Sequence, residues 1–366
     1  MKVLHIVKYF YPSTGGMETY VRQLTRGLGA HGFQASVLAI DHVAGRQTTH
    51  EVIDGVPVCR VACQLKLLSQ PVSWSFGEEL RRLAAEADLV HLHCPFPNAE
   101  ILGRDLATKK LIVTWCADPA NTRWKRVFPL FRPHVVRIMA MARRIVLIGP
   151  SLLENSPTLL PFKDKCEVIP LAYSKREEGE TAARTLERKG ITVLFVGKLR
   201  KYKGVEYLLR SLPTLPDVKL RIVGEGEERA NLERLCSKLG IGLRTTFLGN
   251  VSMERLWEEY ANADLFVLPS IDASEAFGIV QAEAMSFGLP VINTNVPSSV
   301  PYVSLDGITG LTVAPHDATA LATAIQRLGH EPDFYHACSR NALQRAMIFS
   351  EENLIGSYAK IYRRYG

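Results

Sequence analysis

The sequence has no apolar run approaching the roughly 18 residues that a membrane span needs. Its first strand, Val3–Val7, is too short for a signal peptide and lacks a small-residue cleavage site, so we expect no secretory signal. A hydrophobic fraction of 47% and a charged fraction of 22% are ordinary for a globular protein and exclude a disordered, fibrous or coiled-coil chain. The length of 366 residues favours two domains.

Cysteine is also sparse, and its pattern excludes a disulfide framework. The seven cysteines are an odd number, none falls in a C-x-x-C motif, and no Cys/His cluster has zinc spacing. His91, His93 and Cys94 form the nearest cluster, which we interpret as the end of a buried strand. The sequence therefore predicts free thiols in a reducing, cytoplasmic compartment, and we assign no metal ligands.

Acidic residues are scarce in the first half of the chain. Residues 1–172 contain 21 basic and 14 acidic residues, whereas residues 173–366 contain 23 of each. Residues 121–144 have no acidic side chain and interleave aromatic residues with cations, of which we select Arg123, Lys125 and Arg126. This pattern favours an anionic membrane surface or a lipid-linked diphosphate, with a core-facing helix carrying solvated arginines as the alternative. No nucleic-acid recognition motif accompanies the charge, so no such partner is expected.

Short apolar runs alternate with amphipathic helical segments, which predicts an α/β protein with two doubly wound parallel sheets. One helix is predicted from Met17 to Leu28 and another after Asp317, a good N-cap. The polar run Lys175–Glu180 is predicted to be the linker. The predicted strands are Val3–Lys8, Ala35–Ala39, Val56–Val61, Leu89–His93, Leu111–Thr114, Ile145–Ile148, Glu167–Ile169, Thr192–Val196, Lys219–Val223, Thr246–Leu248, Leu265–Leu268, Val291–Asn293 and Leu311–Val313.

Two glycine-containing loops follow predicted strands at their carboxyl ends, where ligands bind in open α/β sheets. Gly15 and Gly16 precede a helix whose N-terminal amides suit an anion, although a plain Gly-Gly turn is the alternative. The second loop begins at Gly197 and is either a diphosphate site or a solvated basic loop. Its cations are Lys198, Arg200, Lys201 and Lys203.

A third loop, at Gly224, begins like a dinucleotide-binding fingerprint. Arg229 stands where that fingerprint requires its last glycine, so we exclude dinucleotide binding.

The segment from Glu275 to Met285 is the most informative. Glu275 precedes a helix that is predicted to begin at Gly278, and Glu283 lies eight residues further on, within that helix. The helix N-terminal amides suit phosphate or sugar oxygens, and carboxylates accept hydrogen bonds from vicinal sugar hydroxyls. This spacing of two carboxylates around a helix N-terminus suits a nucleotide sugar.

Together these motifs resemble the family 4 retaining glycosyltransferases, which have the GT-B fold. The resemblance extends from Val3 to about Tyr358 and rests on four segments in order: Gly15–Glu18 (G-G-x-E), Val196–Gly204 (donor-site loop), Ser274–Met285 (E-x7-E) and Gly307–Val313. It implies two Rossmann-like domains facing a central cleft. Residues 1–172 would bind the acceptor, residues 173–349 would bind the nucleotide sugar, and residues 350–366 would form a helix that packs back on the first domain.

The resemblance also implies roles for single residues. Glu283 would bind the donor ribose, Glu275 would hold hydroxyls of the transferred sugar, and Gly16 would approach the donor across the cleft. Lys198 and Lys203 would hold the diphosphate. The other donor-site candidates are Gly15, Gly197, Gly224, Ala276, Phe277, Gly278 and Ile279, and the acceptor-side candidates include Glu18 and Asp118. The family needs no cofactor besides its donor and normally no metal, and the sequence contains no Asp-x-Asp.

Two positions depart from the family pattern. Cys116 stands where the family usually has a catalytic histidine beside the donor sugar, and it is either a pocket residue or a small buried one. Ala172 replaces a glycine at the domain crossing, which affects the hinge more than the chemistry.

The function implied by the resemblance is transfer of a hexose, mannose or a deoxyhexose, from a nucleoside diphosphate to a growing, lipid-linked bacterial surface polysaccharide. The enzyme would act peripherally at the inner face of the cell membrane, with Glu275, Cys116, Lys203 and Lys198 as the catalytic candidates. The alternatives are a GT-B sugar-nucleotide epimerase and, because of Cys116, a catalytically weak nucleotide-sugar-binding subunit.

Overall fold

The structure, a computed structural model, describes residues 1–13, 15–45, 47–67, 70–119, 126–174, 182–186 and 190–366. The chain forms two compact units, one made of Met1–Leu171 with Glu351–Gly366 and the other of Ala172–Ser350. The linker predicted at Lys175–Glu180 lies outside the described residues. Within the described ranges, no helix is both long enough and apolar enough to cross a bilayer.

Unit 1 contains an eight-stranded sheet in the order β10-β9-β8-β7-β1-β2-β4-β3. Neighbouring strands are parallel except β3 and β4. A separate two-stranded ribbon is formed by β5 and β6. The strands are β1 (Lys2–Ile6), β2 (Gln34–Ala44), β3 (Thr49–Ile53), β4 (Val56–Cys63), β5 (Leu65–Leu67), β6 (Gln70–Val72), β7 (Leu89–Cys94), β8 (Lys110–Trp115), β9 (Arg144–Leu147) and β10 (Cys166–Val168).

All seven strands predicted in this unit are confirmed, and β3, β5 and β6 are additional. β3 escapes prediction because it is a solvent-exposed edge strand with only one hydrophobic pair, Val52 and Ile53. By contrast, every residue of the central strand β7 is buried. A strand with helices over both faces has no alternating polar positions, which is why β7 reads as a continuous apolar-rich run.

The helices of unit 1 come from both ends of the chain. The predicted helix Met17–Leu28 is confirmed, and it buries Tyr20, Val21, Leu24 and Leu28 against the sheet. The C-terminal helix packs beside it, with the Tyr358 hydroxyl 2.5 Å from that of Tyr20. In chain order the helices are α1 (Gly16–Leu28), α2 (Phe76–Glu86), α3 (Pro97–Leu102), α4 (Phe128–Met141), α5 (Ser151–Glu154) and, after the seven helices of unit 2, α13 (Glu351–Tyr365).

Unit 2 contains a six-stranded, fully parallel sheet in the order β13-β12-β11-β14-β15-β16. All six predicted strands are confirmed. Counted within the unit, this order is 3-2-1-4-5-6, the Rossmann order. The strands are β11 (Ile191–Val196), β12 (Val218–Val223), β13 (Thr245–Gly249), β14 (Leu265–Leu268), β15 (Val291–Thr294) and β16 (Gly310–Val313).

The helices of unit 2 are α6 (Val205–Ser211), α7 (Arg229–Lys238), α8 (Met253–Asn262), α9 (Val280–Ser286), α10 (Val300–Val303), α11 (Ala318–His330) and α12 (Pro332–Ala346). As predicted, Asp317 caps α11, its carboxylate accepting a hydrogen bond from the Ala320 amide. The strand order reverses between β11 and β14, so the crevice of this doubly wound sheet lies beyond their carboxyl ends.

Candidate active site

The loops that follow β11 and β14 meet at this reversal point. The Ile271 amide donates to the Tyr202 carbonyl over 2.8 Å. Gly204 has a φ of 66°, and a Cβ there would overlap the carbonyl oxygen of Pro269. The close approach of the two loops therefore depends on glycine at position 204.

This approach brings Lys203 and Glu275 into an ion pair, and their side chains are only 10% and 11% exposed. The Ser270 hydroxyl lies 3.5 Å from the same carboxylate. A buried ammonium and a carboxylate at the carboxyl edge of a parallel sheet can hold both anionic and hydroxyl groups of a ligand. Two candidates from separate motifs thus occupy one site.

Glu283 lies in the first turn of α9 and is half-buried. The Tyr260 hydroxyl donates to its carboxylate over 2.9 Å. Burial raises the pKa of Glu283, and the hydrogen bond from Tyr260 partly offsets that shift. Burial also raises the pKa of Tyr260 well above its usual value, so this hydroxyl stays protonated and remains a donor. The sequence did not predict Tyr260, because nothing in α8 indicates that this residue contacts Glu283 of α9.

The turn between Glu275 and α9 presents the amides of Phe277, Gly278 and Ile279. Within the part of the chain that the structure describes, these three amides donate no hydrogen bond to the backbone. The Gln281 side chain stabilises the turn, because it donates to the carbonyls of Phe277 and Val300. The turn is therefore held in place, and within the described residues its three amides have no backbone acceptor.

Gln281 is held in turn by Asn293 at the end of β15. The Asn293 side chain donates to Gln281 over 2.8 Å and accepts from the Thr312 hydroxyl over 2.7 Å. Both Gln281 and Asn293 are fully buried. This polar chain links the glutamate-containing loop to two strands of the sheet.

The basic loop after β11 lies against the loop after β12. Leu199 donates to the Glu225 carbonyl over 2.9 Å, and a Cβ at Gly224 would overlap the carbonyl oxygen of Gly197. Lys198 is exposed, in contrast to Lys203. The structure therefore brings Gly197, Gly224 and Lys203 together and leaves the Lys198 side chain facing solvent.

In unit 1, Gly15 and Gly16 precede α1, and the Glu18 carboxylate folds back over Gly15. Gly16 has open space where a side chain would be. Cys116 follows β8 and donates its amide to the Cys94 carbonyl over 3.0 Å. Burial, with a smaller contribution from Glu18, raises the pKa of the Cys116 thiol to about 12, so it is a neutral thiol at physiological pH.

The acceptor-side candidates have different environments. Asp118 is buried and accepts a hydrogen bond from the Ser156 hydroxyl. Arg126 is exposed just before α4. Arg123 and Lys125 lie outside the described residues. Of the residues predicted for a site in unit 1, the structure therefore describes Gly15, Gly16, Glu18, Cys116, Asp118 and Arg126.

A buried polar cluster under α1 and α13 was only half predicted. His91 and His93 of β7 are joined by His5 of the neighbouring strand β1, and all three are fully buried. His5 Nδ1 lies 3.2 Å from His93 Nε2, and His91 bonds to the hydroxyls of Thr114 and Tyr362 over 2.7 and 2.6 Å. Burial lowers the pKa of His5 to about 3 and those of His91 and His93 well below their usual value. Their two-residue spacing and the register of His5 with His91 place them on one sheet face.

Comparison with known proteins gives a consistent result. Residues 178–345 match the family described as glycosyl transferases group 1, and residues 15–172 match the glycosyl transferase 4-like domain. The chain is 31% identical to the D-rhamnosyltransferase WbpZ of Pseudomonas aeruginosa, covering 94% of this chain and 91% of the relative. It is 28% identical to the O-antigen chain mannosyltransferase C of Escherichia coli, covering 99% and 98%.

Two solved structures have the same fold. Sucrose-phosphate synthase from Thermosynechococcus elongatus superposes with a TM-score of 0.78 at 22% identity, covering 99% of this chain and 98% of that one. Anabaena HepE in complex with UDP superposes with a TM-score of 0.77 at 18% identity over the whole of both chains.

Proposed function

The chain belongs to the glycosyl transferases group 1 family, and on that premise we propose that it moves a hexose from a nucleoside-diphosphate sugar to a bacterial surface polysaccharide. The observation that carries the proposal is the Lys203–Glu275 pair at the strand-order reversal of a Rossmann sheet. The near full-length relatives named for mannosyl and rhamnosyl transfer favour mannose or a deoxyhexose as the sugar. A growing, lipid-linked chain is the proposed acceptor.

The donor diphosphate would bind at the basic loop and the turn before α9. Lys203 would supply a buried cation, and the amides of Phe277, Gly278 and Ile279 would supply uncharged donors. Lys198, exposed on the same loop, would reach the outer phosphate oxygens. Such donors stabilise the charge that develops on the leaving diphosphate, which is the largest contribution to catalysis expected here.

Glu283 would accept hydrogen bonds from the vicinal ribose hydroxyls, with Tyr260 orienting its carboxylate. Glu275 would hold hydroxyls of the transferred sugar. Its carboxylate pairs with Lys203, so binding of the diphosphate would divide the ammonium's contacts between phosphate and carboxylate.

Transfer would retain the anomeric configuration and use no metal at the diphosphate, as the family resemblance implies. Two routes fit: Glu275 acts as a nucleophile, or the acceptor attacks from the face of the leaving phosphate and Glu275 only positions the sugar. Both routes require the leaving group to be stabilised by Lys203, so both predict a loss of turnover on its replacement.

The first turn of α4 supports peripheral binding at the inner face of the cell membrane. Leu130 is 76% exposed, and Arg126 and Arg132 beside it are also exposed. Arg137 and Arg144, further along the same basic stretch, instead bond to the Glu100 carbonyl and the Glu167 carboxylate. An exposed leucine between exposed arginines suits an anionic bilayer surface.

Release of nucleoside diphosphate tests the proposal. The protein is incubated with a panel of nucleotide sugars, with and without a lipid-linked oligosaccharide, and retention is read from the anomeric configuration of the product. We expect acceptor-dependent release with one donor, and thermal stabilisation by its nucleoside diphosphate. Glu275→Gln should lower turnover more than donor affinity, while Lys238→Gln, at an exposed position of α7, should change neither. Free interconversion of the nucleotide sugar without acceptor would instead identify an epimerase.

A further inference from the structure

A group of side chains that could ligate a metal ion lies at the β3 edge of the unit 1 sheet. His50 is on β3, Cys59 is on β4, and Glu79 is in the first turn of α2. One ligand atom from each, an imidazole nitrogen, the thiol sulfur and a carboxylate oxygen, lies within 4.8 Å of the other two. Because the three residues come from three separate elements, sequence spacing did not reveal the set.

The fold itself brings these side chains together. His50 and Cys59 are directly paired across the antiparallel β3–β4 ladder, so their side chains share one face. Helix α2 packs against β4, and the Cys59 thiol lies 3.7 Å from Glu79 Oε2. In a tetrahedral zinc site, sulfur and oxygen ligands are about 3.5 Å apart, given Zn–S and Zn–O distances near 2.3 and 2.0 Å. The sulfur–oxygen separation therefore already fits a shared ion.

We propose that His50, Cys59 and Glu79 bind a divalent transition-metal ion of the Zn²⁺ class, with water as the fourth ligand. A thiolate and a carboxylate balance the charge of a divalent ion, and nitrogen, sulfur and oxygen donors are the set that zinc takes in proteins. The thiol proton leaves to solvent as the thiolate binds. This site is separate in sequence and chemistry from the loops assigned to the donor.

The ligands are available for this role. His50 is exposed, so its imidazole is accessible to an ion from solvent. The Cys59 thiol donates to Glu79 Oε2, and this hydrogen bond is lost with the thiol proton, so the ion can take its place between the sulfur and the same oxygen. Arg82 can keep its bond to Oε2 and orient the carboxylate, as outer partners of metal ligands commonly do. The exposed imidazole also gives the ion a path from solvent.

Binding would fasten the edge strand to the helix above it. β3 has a neighbour on one side only and is mostly exposed, so its position depends on the β4 ladder. An ion bound jointly by β3, β4 and α2 would oppose the separation of β3 from the sheet. Exposed edge strands are the places where a sheet can pair with another chain. The site is therefore structural, and donor transfer does not pass through it.

Cobalt spectroscopy tests the site directly. Co²⁺ is titrated into the reduced full-length protein, and the sulfur-to-cobalt charge-transfer absorption in the near ultraviolet is recorded. We expect a band that saturates at one equivalent and is removed by Zn²⁺. His50→Ala should weaken binding at least about tenfold, and Cys59→Ser should abolish the band. Cys166→Ser, which removes a partly exposed thiol on another strand, is the matched control and should leave it unchanged.

Three results would overturn the proposal: no band in the parent protein, a band that survives Cys59→Ser, or equal binding by the parent and His50→Ala. If Cys59→Ser fails to fold, as judged by circular dichroism, His50→Ala decides the question, because that side chain is exposed and its loss leaves no cavity. None of these readouts depends on the transferase reaction.

Discussion

Lys203 and Glu275 form an ion pair across two loops of unit 2, and each side chain is exposed by only about a tenth of its surface. Both are charged groups that the protein has largely removed from water, and each compensates the other. Removing one partner of such a pair leaves an isolated buried charge, whereas removing both can be nearly neutral. The free energy of unfolding therefore depends on an ion pair that lies in the candidate active site.

The first prediction concerns stability. Lys203→Met and Glu275→Gln should each destabilise the protein by about 3 kcal/mol, because each leaves the other group unpaired. The double variant should be more stable than the sum of the single losses by about 1–3 kcal/mol. Urea denaturation of the four proteins measures this coupling. Simple additivity would show that the two side chains do not interact in solution.

The second prediction concerns Tyr260. Tyr260→Phe removes the hydroxyl that orients Glu283. Because one hydrogen bond contributes about 1 kcal/mol, donor affinity should fall about fivefold. Calorimetric titration with the nucleoside diphosphate measures it. Tyr335→Phe is the control, because its buried hydroxyl donates to the Asp264 carbonyl instead. An equal loss of affinity in both variants would indicate a general packing effect.

The third prediction concerns Cys116. The half-buried, neutral Cys116 thiol is a weak hydrogen-bond donor, so Cys116→His should raise turnover and Cys116→Ala should lower it about tenfold. Steady-state kinetics with the preferred donor compares the three proteins. Equal turnover would remove position 116 from the mechanism and leave it as a small buried residue.

The fourth prediction concerns acid stability. His5, His91 and His93 are buried, and their pKa values lie below the value near 6.5 of the unfolded chain. As the pH falls below about 6.5, the unfolded state gains protons that the folded state does not, so stability falls. Each histidine contributes up to about 1.4 kcal/mol per pH unit.

Chemical denaturation between pH 7 and pH 4 checks this slope. His5→Gln should make the slope shallower by one proton. A slope that His5→Gln leaves unaltered would mean that these imidazoles are already protonated in the folded state.

The fifth prediction concerns the membrane. Binding to vesicles rich in anionic lipid should weaken with added salt and fall about thirtyfold in the Arg126→Gln, Arg132→Gln double variant, at roughly 1 kcal/mol per cation. Lys219→Gln with Lys238→Gln, both exposed in unit 2, is the charge-matched control. Sedimentation with vesicles measures the bound fraction. Salt-independent binding to neutral vesicles would contradict the electrostatic contribution.

Sequence patterns predicted the parts of the fold whose signal is local. Strands such as β7 and β14 are apolar-rich because both of their faces are covered. Asp317 indicates the start of its helix because its carboxylate caps an amide only three residues further along the chain. The exposed edge strand β3 carries little such signal.

Other parts of the candidate site could not be predicted from the sequence, for a different reason. Lys203 and Glu275 were each selected, but their contact depends on the order of strands in the sheet, which no local pattern encodes. Tyr260 and His5 were missed because each acts through a partner on another element, Glu283 and His93 respectively.

The C-terminal helix has a consequence for how the protein is made. Unit 1 consists of the first 171 residues and the last 16, so its final helix leaves the ribosome only after the whole of unit 2. Until then Tyr20, Thr114 and His91 lack the hydroxyls of Tyr358 and Tyr362. The unit that is synthesised first is therefore completed last, and a stop codon just before Glu351 would remove a helix from the first unit and not from the second.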